Sequence, residues 1–441
     1  MQAFNLSDEK KKWLIFAVVF FYLLGPVIRF KHAYLSDIFF LIVFIGLLLS
    51  GTKLKYDSPF TKIFLIPIGI VFISLAGKFL TGYTIGMDEA ANCLNYIKLF
   101  FLYVVTYTVF FRNSNSNFYK RDLKILNYIV IFFVLFVSVI GILQFINHPF
   151  AEYVIKNFYH VVHKTGTDNI YEFELLNRVT SIFDSFNGMG IVLCFTLFIL
   201  IFINTELKNY WSIVVLLIGI SLIFLTGNRA SLIMFFLMTV SYVVYMKKGM
   251  SLKIFGIITG LFFTSGLIFF LVANYLSFDN YIRFYEFKLL LQNGSIPPTL
   301  QVRLDKWQLL PSYMLSVKQG LFGYTTGDFI RDKVYTSPDN QYLNWLVYYG
   351  YIGAVLFISW AFYSLIIFIK NKKNRIVNSL QLKNSSSFMI IYWIGLIIIG
   401  LFQESFFFGR LRELFIFLLA MLAAYSSLEK NNSVNTNLKD A

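Results

Sequence analysis

Charge is scarce in this chain. Only 14% of its 441 residues are Asp, Glu, Lys or Arg, against 58% hydrophobic residues and a mean hydropathy of +0.68. That excludes a soluble globular domain, which carries about a quarter of its residues as charges. Cysteine is scarcer still. Cys93 and Cys194 fall in or beside separate apolar runs, too little for a disulfide framework or a metal site, and both read as packing residues. No small-residue cleavage site follows the first apolar run, so the expectation is that it stays as a helix rather than serving as a removable signal peptide. No internal repeat or inverted hydropathy symmetry is visible, which weighs against a transporter, since those folds often show repeats and Gly- or Pro-broken helices.

What the chain does have is apolar runs. A helix needs about 20 apolar residues to cross a bilayer, and about twelve such runs are present. They lie near 13–30, 36–50, 62–80, 94–111, 125–146, 187–204, 210–226, 230–246, 252–274, 341–369, 387–404 and 411–427. The expected fold is an all-α polytopic membrane protein of about 12 transmembrane helices, a single integral membrane domain over 1–441, with a large helical loop between helices nine and ten. Net charge is +15, but the basic residues sit in short clusters between apolar runs: Lys10–Lys12, Lys53 with Lys55, Lys120 with Arg121, Lys247 with Lys248, and Lys370 to Arg375. These fall on alternate connections, the pattern of topology signals rather than of nucleic-acid binding. They place both termini and the 428–441 tail in the cytoplasm.

Two connections on the outer face are long, 147–186 and 275–340, and long loops in compact proteins are usually functional or disordered. Both are too rich in aromatics and aliphatics for disorder. In the first, PFAEYVIKNFYHVVHK spaces Phe150, Tyr153, Val154, Phe158, Val161 and Val162 as an interfacial amphipathic helix. His160 and His163 lie on or beside it; without a third ligand they read as interface residues rather than a metal pair. The second loop reads as two helical pieces, 279–291 and 299–318, split by the breaker NGSIPP.

The candidate chemistry lies at the outer ends of helices. Arg229 stands in the short turn TGNRASL, where an arginine either serves function or snorkels to the interface. Arg303, in QVRLDKWQLL, taken alone suits a solvated helix face, and Arg178, in NRVTSIF, suits an interfacial anchor. At Ser337 the chain reads SPDNQYLNWLVYYGYIG. Ser337 or Asp339 is an ordinary N-cap for the helix that begins near Asn340, Pro338 suits a helix start, and Gly350 and Gly353 read as small residues for close helix packing. Glu404, in FQESFFFGR, ends the eleventh run. Together, three arginines near a carboxylate at a helix start suit a ligand with an anionic head and a lipid tail, because arginine forks match phosphate oxygens and stay charged.

The succession NRVTSIFDSFNGMG, FLTGNRASL, RLDKWQLLPSYMLSVKQGLFGYTTGDF and DNQYLNWLVYYGYIG, over about residues 178–353, resembles the O-antigen ligase and polymerase superfamily. The resemblance implies a glycosyltransferase using neither metal nor nucleotide sugar. It would act on undecaprenyl-diphosphate-linked glycans at the outer face of a bacterial inner membrane, with a chain-length regulator as a plausible partner. Arg229, Arg303 and Arg178 would bind the diphosphate, Asp339 or Glu404 would serve as catalytic base, and Asn340 and Tyr342 would position substrate. Ligases of the superfamily carry histidine where this chain has Asp339, a departure that favours an O-antigen polymerase; a ligase and a polysaccharide exporter or flippase remain the alternatives.

Overall fold

The computed structural model describes residues 6–25, 29–30, 33–58, 60–83, 85–112, 116–159, 179–183, 186–207, 209–245, 256, 259–260, 263–264, 266–267, 301, 303–305, 307–308, 317–324, 340–373, 380–401 and 409–437. Among the described residues the fold is all-α, apart from a two-residue antiparallel ladder of Arg29–Phe30 with Ala33–Tyr34. The helices are α1 (Asp8–Leu24), α2 (Leu35–Leu49), α3 (Thr61–Leu80), α4 (Met87–Arg112), α5 (Ser116–Phe145) and α6 (Pro149–Val154). They continue as α7 (Phe186–Leu207), α8 (Trp211–Thr226), α9 (Arg229–Tyr245), α10 (Val317–Phe322), α11 (Gln341–Lys373), α12 (Leu380–Gly400) and α13 (Gly409–Asn437).

Five of these helices are long and apolar enough to cross a membrane: Thr61–Leu80, Glu89–Phe111, Phe118–Phe145, Asn187–Thr205 and Gln341–Asn371. Their outward surfaces are as greasy as their packed ones. Leu65 is 52% and Val355 61% exposed, an arrangement that suits hydrocarbon as the surrounding solvent. Helices lie over the apolar runs of the sequence except the ninth, 252–274, most of which falls outside the described residues. Of the outer-loop pieces, Pro149–Val154 is helical and continues as a π-turn at Ile155–Tyr159. Phe150, Tyr153 and Phe158 point outward there, whereas Val154 joins Ala151 and Tyr159 on the buried side. His160, His163 and residues 279–291 lie outside the described residues.

The chain divides into two compact units. Unit 2 comprises Leu23–Ile28 and Lys120–Gln301. Its central helix is α7, apolar on every side and packed against both α8 and α9, as expected of a helix with no polar face to turn outward. Cys194 is buried within it.

Unit 1 comprises Met1–Tyr22, Arg29–Tyr119 and Val302–Ala441. Here α13 packs along α4, and α3 packs against α4 and α11. Pro67 interrupts α3, and a proline orphans the carbonyl four residues earlier. That carbonyl is Ile63 O, and the Trp360 indole N–H from α11 donates to it at 2.7 Å. The α11 helix is itself broken. Gly350, with φ +67°, is non-helical and divides it; it is also a packing glycine, since a Cβ there would collide with Leu321 O of α10.

Candidate functional site

In unit 2 the two arginine motifs meet. The α8 helix ends on Gly227 in the left-handed conformation (φ +65°), a common helix stop. Asn228 then starts α9: its Oδ1 accepts from Ser231 N at 3.2 Å, an N-cap contributing about 0.5–2 kcal/mol. Its Nδ2 donates to Asn187 O at 3.2 Å, tying the turn to the start of α7. Gly190 makes room, since a Cβ there would come within 2.8 Å of the Asn228 side chain. Arg229 is therefore the first residue of α9 and partly exposed. The amides of that first turn and the guanidinium together favour an anion.

The segment that follows Arg178 is buried against the same end of unit 2. Gln144, in the last turn of α5, accepts from Thr180 N at 3.0 Å and Ser181 N at 2.8 Å, and donates to Thr180 Oγ1 at 3.1 Å. Ser181, held at φ +50°, donates through Oγ to Val137 O at 2.8 Å. Val179 N reaches Leu225 O at 3.4 Å, just before the Gly227 turn. Arg178 itself lies outside the described residues.

Unit 1 holds the other candidates. Arg303 stands in a helical stretch, 303–305, and is partly exposed. Arg229 belongs to unit 2 and Arg303 to unit 1. Asp339 and Glu404 lie outside the described residues. The N-cap of α11 is neither Ser337 nor Asp339 but Asn340, whose Oδ1 accepts from Tyr342 N at 2.9 Å and Leu343 N at 3.2 Å. Its Nδ2 donates to Leu401 O at 2.9 Å, and the Tyr342 hydroxyl donates to Ile397 O at 2.6 Å. Carbonyls in the last turn of a helix lack intrahelical donors, so Asn340 and Tyr342 clamp the start of α11 to the end of α12. The roles the structure gives these two side chains are architectural.

The break at Gly350 leaves carbonyls at the end of the Gln341–Tyr349 segment. Tyr324 N donates to Val347 O at 2.8 Å, and Lys78, 3% exposed on α3, donates to Tyr348 O at 2.7 Å and Tyr324 O at 2.8 Å. A cation at a helix C-terminus is favoured by the macrodipole. Gly323 (φ +79°) fits against the break so closely that a Cβ would lie 2.6 Å from Val347 O.

A second, largely buried charge group lies between α2, α4 and α13. Lys98 Nζ is 2.9 Å from Asp37 Oδ1 and 2.9 Å from Glu413 Oε1, and the Tyr22 hydroxyl donates to Asp37 at 3.3 Å. Lys98 lies in an apolar span, where an isolated charge costs about 2.5–3.5 kcal/mol near the centre. Two carboxylates offset that cost. Lys78, Gln144, Asp37 and Glu413 were missed by sequence reasoning; for Lys78 and Gln144 the available signal was a lone polar residue inside an apolar run. Among the described residues no group of three or more His, Cys, Asp or Glu is placed to hold a metal ion. No protein-family model, curated protein or solved structure matches this chain.

Proposed function

We propose that this chain is a repeat-unit polymerase of the O-antigen kind, a multi-pass protein of about twelve spans in a bacterial inner membrane with both termini cytoplasmic. The observation that carries the reading is the convergence in unit 2, where the residue after Arg178 hydrogen-bonds to Leu225, beside the turn that presents Arg229. Two arginine-bearing motifs far apart in sequence thus share one helix end, as a diphosphate site requires. The partners of Asn340 also sharpen the role of Asp339. The N-cap of α11 is supplied by its neighbour Asn340, which leaves Asp339 available for proton transfer.

In the proposed reaction a sugar hydroxyl of one undecaprenyl-diphosphate-linked unit attacks the anomeric carbon of the growing chain. A new glycosidic C–O bond forms as the bond to the lipid diphosphate breaks. Asp339 or Glu404 takes the hydroxyl proton, and Arg229, Arg303 and Arg178 stabilise the diphosphate as it leaves. A chain-length regulator is the expected protein partner.

Arg229→Ala and Arg303→Ala each abolish chain extension while the protein remains in the membrane. Full-length polymer from both variants defeats the assignment. A polysaccharide exporter is the second reading, favoured by the Gly350 break in α11, a device transporters use. In proteoliposomes supplied with lipid-linked repeat units, a polymerase gives a ladder of products and an exporter returns them unchanged.

A further inference from the structure

In unit 2 the chain leaves α5 through a local stop. Asn147 takes the left-handed conformation (φ +55°), which asparagine tolerates, and His148 N donates back to Leu143 O at 2.8 Å. A new helix starts at once: Pro149 takes its first position, and the His148 ring accepts from Phe150 N at 3.2 Å. The α6 helix then widens into the π-turn Ile155–Tyr159, so residues 149–159 form a helical strap fixed to the end of α5. One side of the strap is fastened to its unit. Ala151, Val154, Ile155 and Tyr159 are buried, and the Tyr159 hydroxyl donates at 2.6 Å to the carbonyl of Leu24, the last residue of α1.

The other side is aromatic and open. Phe150, Tyr153 and Phe158 are 52%, 58% and 42% exposed. Residues five apart are not neighbours on an α-helix. The π-turn, with its i→i+5 bonding, changes that: the rings of Tyr153 and Phe158 meet at 6.3 Å, edge to face. Glu152 and Asn157 are exposed on the same strap, so it offers rings and polar groups together. Water alone would wet three rings, and hydrocarbon alone would have to take the Glu152 carboxylate. The lipid–water interface accepts both, and amphipathic aromatic rings collect there.

The surface of α5 says what covers these rings. This helix is long and apolar enough to cross a membrane, and its exposed residues Phe132, Leu135, Val139, Ile142 and Ile146 recur at spacings of three and four, a single apolar stripe of the kind a spanning helix turns to lipid. Phe150 follows Ile146 by four residues, just beyond the bend at Asn147, so the aromatic face begins where the lipid-facing stripe ends. A second protein is a poorer fit. Three half-exposed rings offer about 300 Å², against about 800 Å² per partner in a stable protein interface.

We propose that the strap 149–159 is a depth anchor lying in the lipid–water interface, with Phe150, Tyr153 and Phe158 seated among headgroups and the first acyl carbons. Its buried side holds the ends of α1 and α5. That end of α5 also carries Gln144, and through it Thr180 and Ser181, so the anchor sets the depth at which this polar end of unit 2 meets the membrane surface. The inference does not depend on the polymerase reading.

The test uses the full-length protein in vesicles of phosphatidylethanolamine and phosphatidylglycerol, with a nitroxide label on Phe150→Cys, Tyr153→Cys or Phe158→Cys. Cys93 and Cys194 are buried, and the parent protein treated alike gives the background. Power saturation with oxygen and with a water-soluble nickel chelate is expected to place all three labels within about 5–10 Å of the boundary between headgroups and acyl chains, and a label on Val139→Cys deeper. Free access of nickel to all three overturns the proposal. So does exclusion of both oxygen and nickel, the signature of a covering protein. Replacing Phe150 and Tyr153 together with serine is expected to bring the label at 158 into water, and an unchanged depth there overturns the anchoring role. The unmodified protein decides even if a variant does not fold: phosphatidylglycerol carrying a photoactivatable group at the top of its acyl chain is expected to crosslink to peptides covering 149–159. Labelling of α5 peptides without labelling of these overturns the proposal.

Discussion

Replacing Gln144 with leucine tests the unit 2 site at its support rather than at its arginines. The side chain is nearly isosteric and 5% exposed, so shape is kept and hydrogen bonding is lost. Two buried backbone donors, Thr180 N and Ser181 N, lose the oxygen that accepts them at 3.0 and 2.8 Å. Each unsatisfied buried donor costs about 1–3 kcal/mol, giving about 4 kcal/mol for the pair at mid-range. The segment 179–183 is short and takes three of its hydrogen bonds from this one side chain, so the cost falls on local opening rather than on global unfolding. At about 1.4 kcal/mol per decade, 4 kcal/mol corresponds to a loss of roughly a thousandfold in amide protection at Thr180 and Ser181. Hydrogen–deuterium exchange on the purified protein reads this from peptides that cover 179–183, with α7 peptides as the internal reference. Under the proposed function, chain extension is expected to fall together with that protection, because the segment ties Val179 to Leu225 beside the Arg229 turn. The reasoning fails if protection at Thr180 and Ser181 changes less than tenfold. It fails equally if α7 peptides lose as much as they do, which would make Gln144 a global rather than a local support.

Two further substitutions test unit 1. Lys78→Met leaves Tyr348 O and Tyr324 O without the buried ammonium, at about 1–3 kcal/mol per orphaned carbonyl. Its unfolding midpoint in detergent, followed by tryptophan fluorescence, is expected to fall well below that of exposed Lys62→Met, which should match the parent within about 0.5 kcal/mol. In the α2–α4–α13 charge group, Lys98→Met leaves buried Glu413 and partly buried Asp37 without the ammonium they share and is expected to cost about the 3–5 kcal/mol of a broken buried pair, whereas Glu413→Gln leaves Lys98 with Asp37 and costs less. Thermal unfolding of the two variants that gave the reverse order would rule out Lys98 as the centre of the group.

The helices were legible because hydrocarbon leaves the backbone little choice. Every amide must be satisfied within the segment, so an apolar run of the right length becomes a helix whatever its neighbours do. The ends were less legible. SPDN offers three capping side chains within four residues, and Asn340 wins because its amide also reaches Leu401 O, a partner 61 residues away that no local rule contains. Gly350 was legible as a packing glycine but not as a break, because the small-residue signal is the same for both. The left-handed turn becomes necessary only once α10 lies against it. The Lys98, Asp37 and Glu413 group was invisible for the same reason: it joins three helices, and charge pairing across helices leaves no periodic trace. Of the arginines, Arg229, read from the sequence as lying in the turn, is the first residue of α9, and Arg303 belongs to the other unit.

The fastening of Lys78 also has a history in time. Its two acceptors lie 246 and 270 residues further along the chain. At roughly 5–20 residues per second of synthesis, the first is not made until on the order of ten to fifty seconds after α3 has emerged. Through that interval α3 must enter and hold the bilayer with its ammonium unmatched, on the strength of its apolar residues alone. The lysine sits in the last turn of α3, where its stem can extend toward the headgroups while it waits. Assembly of the broken helix therefore depends on a residue that is inserted first and used last.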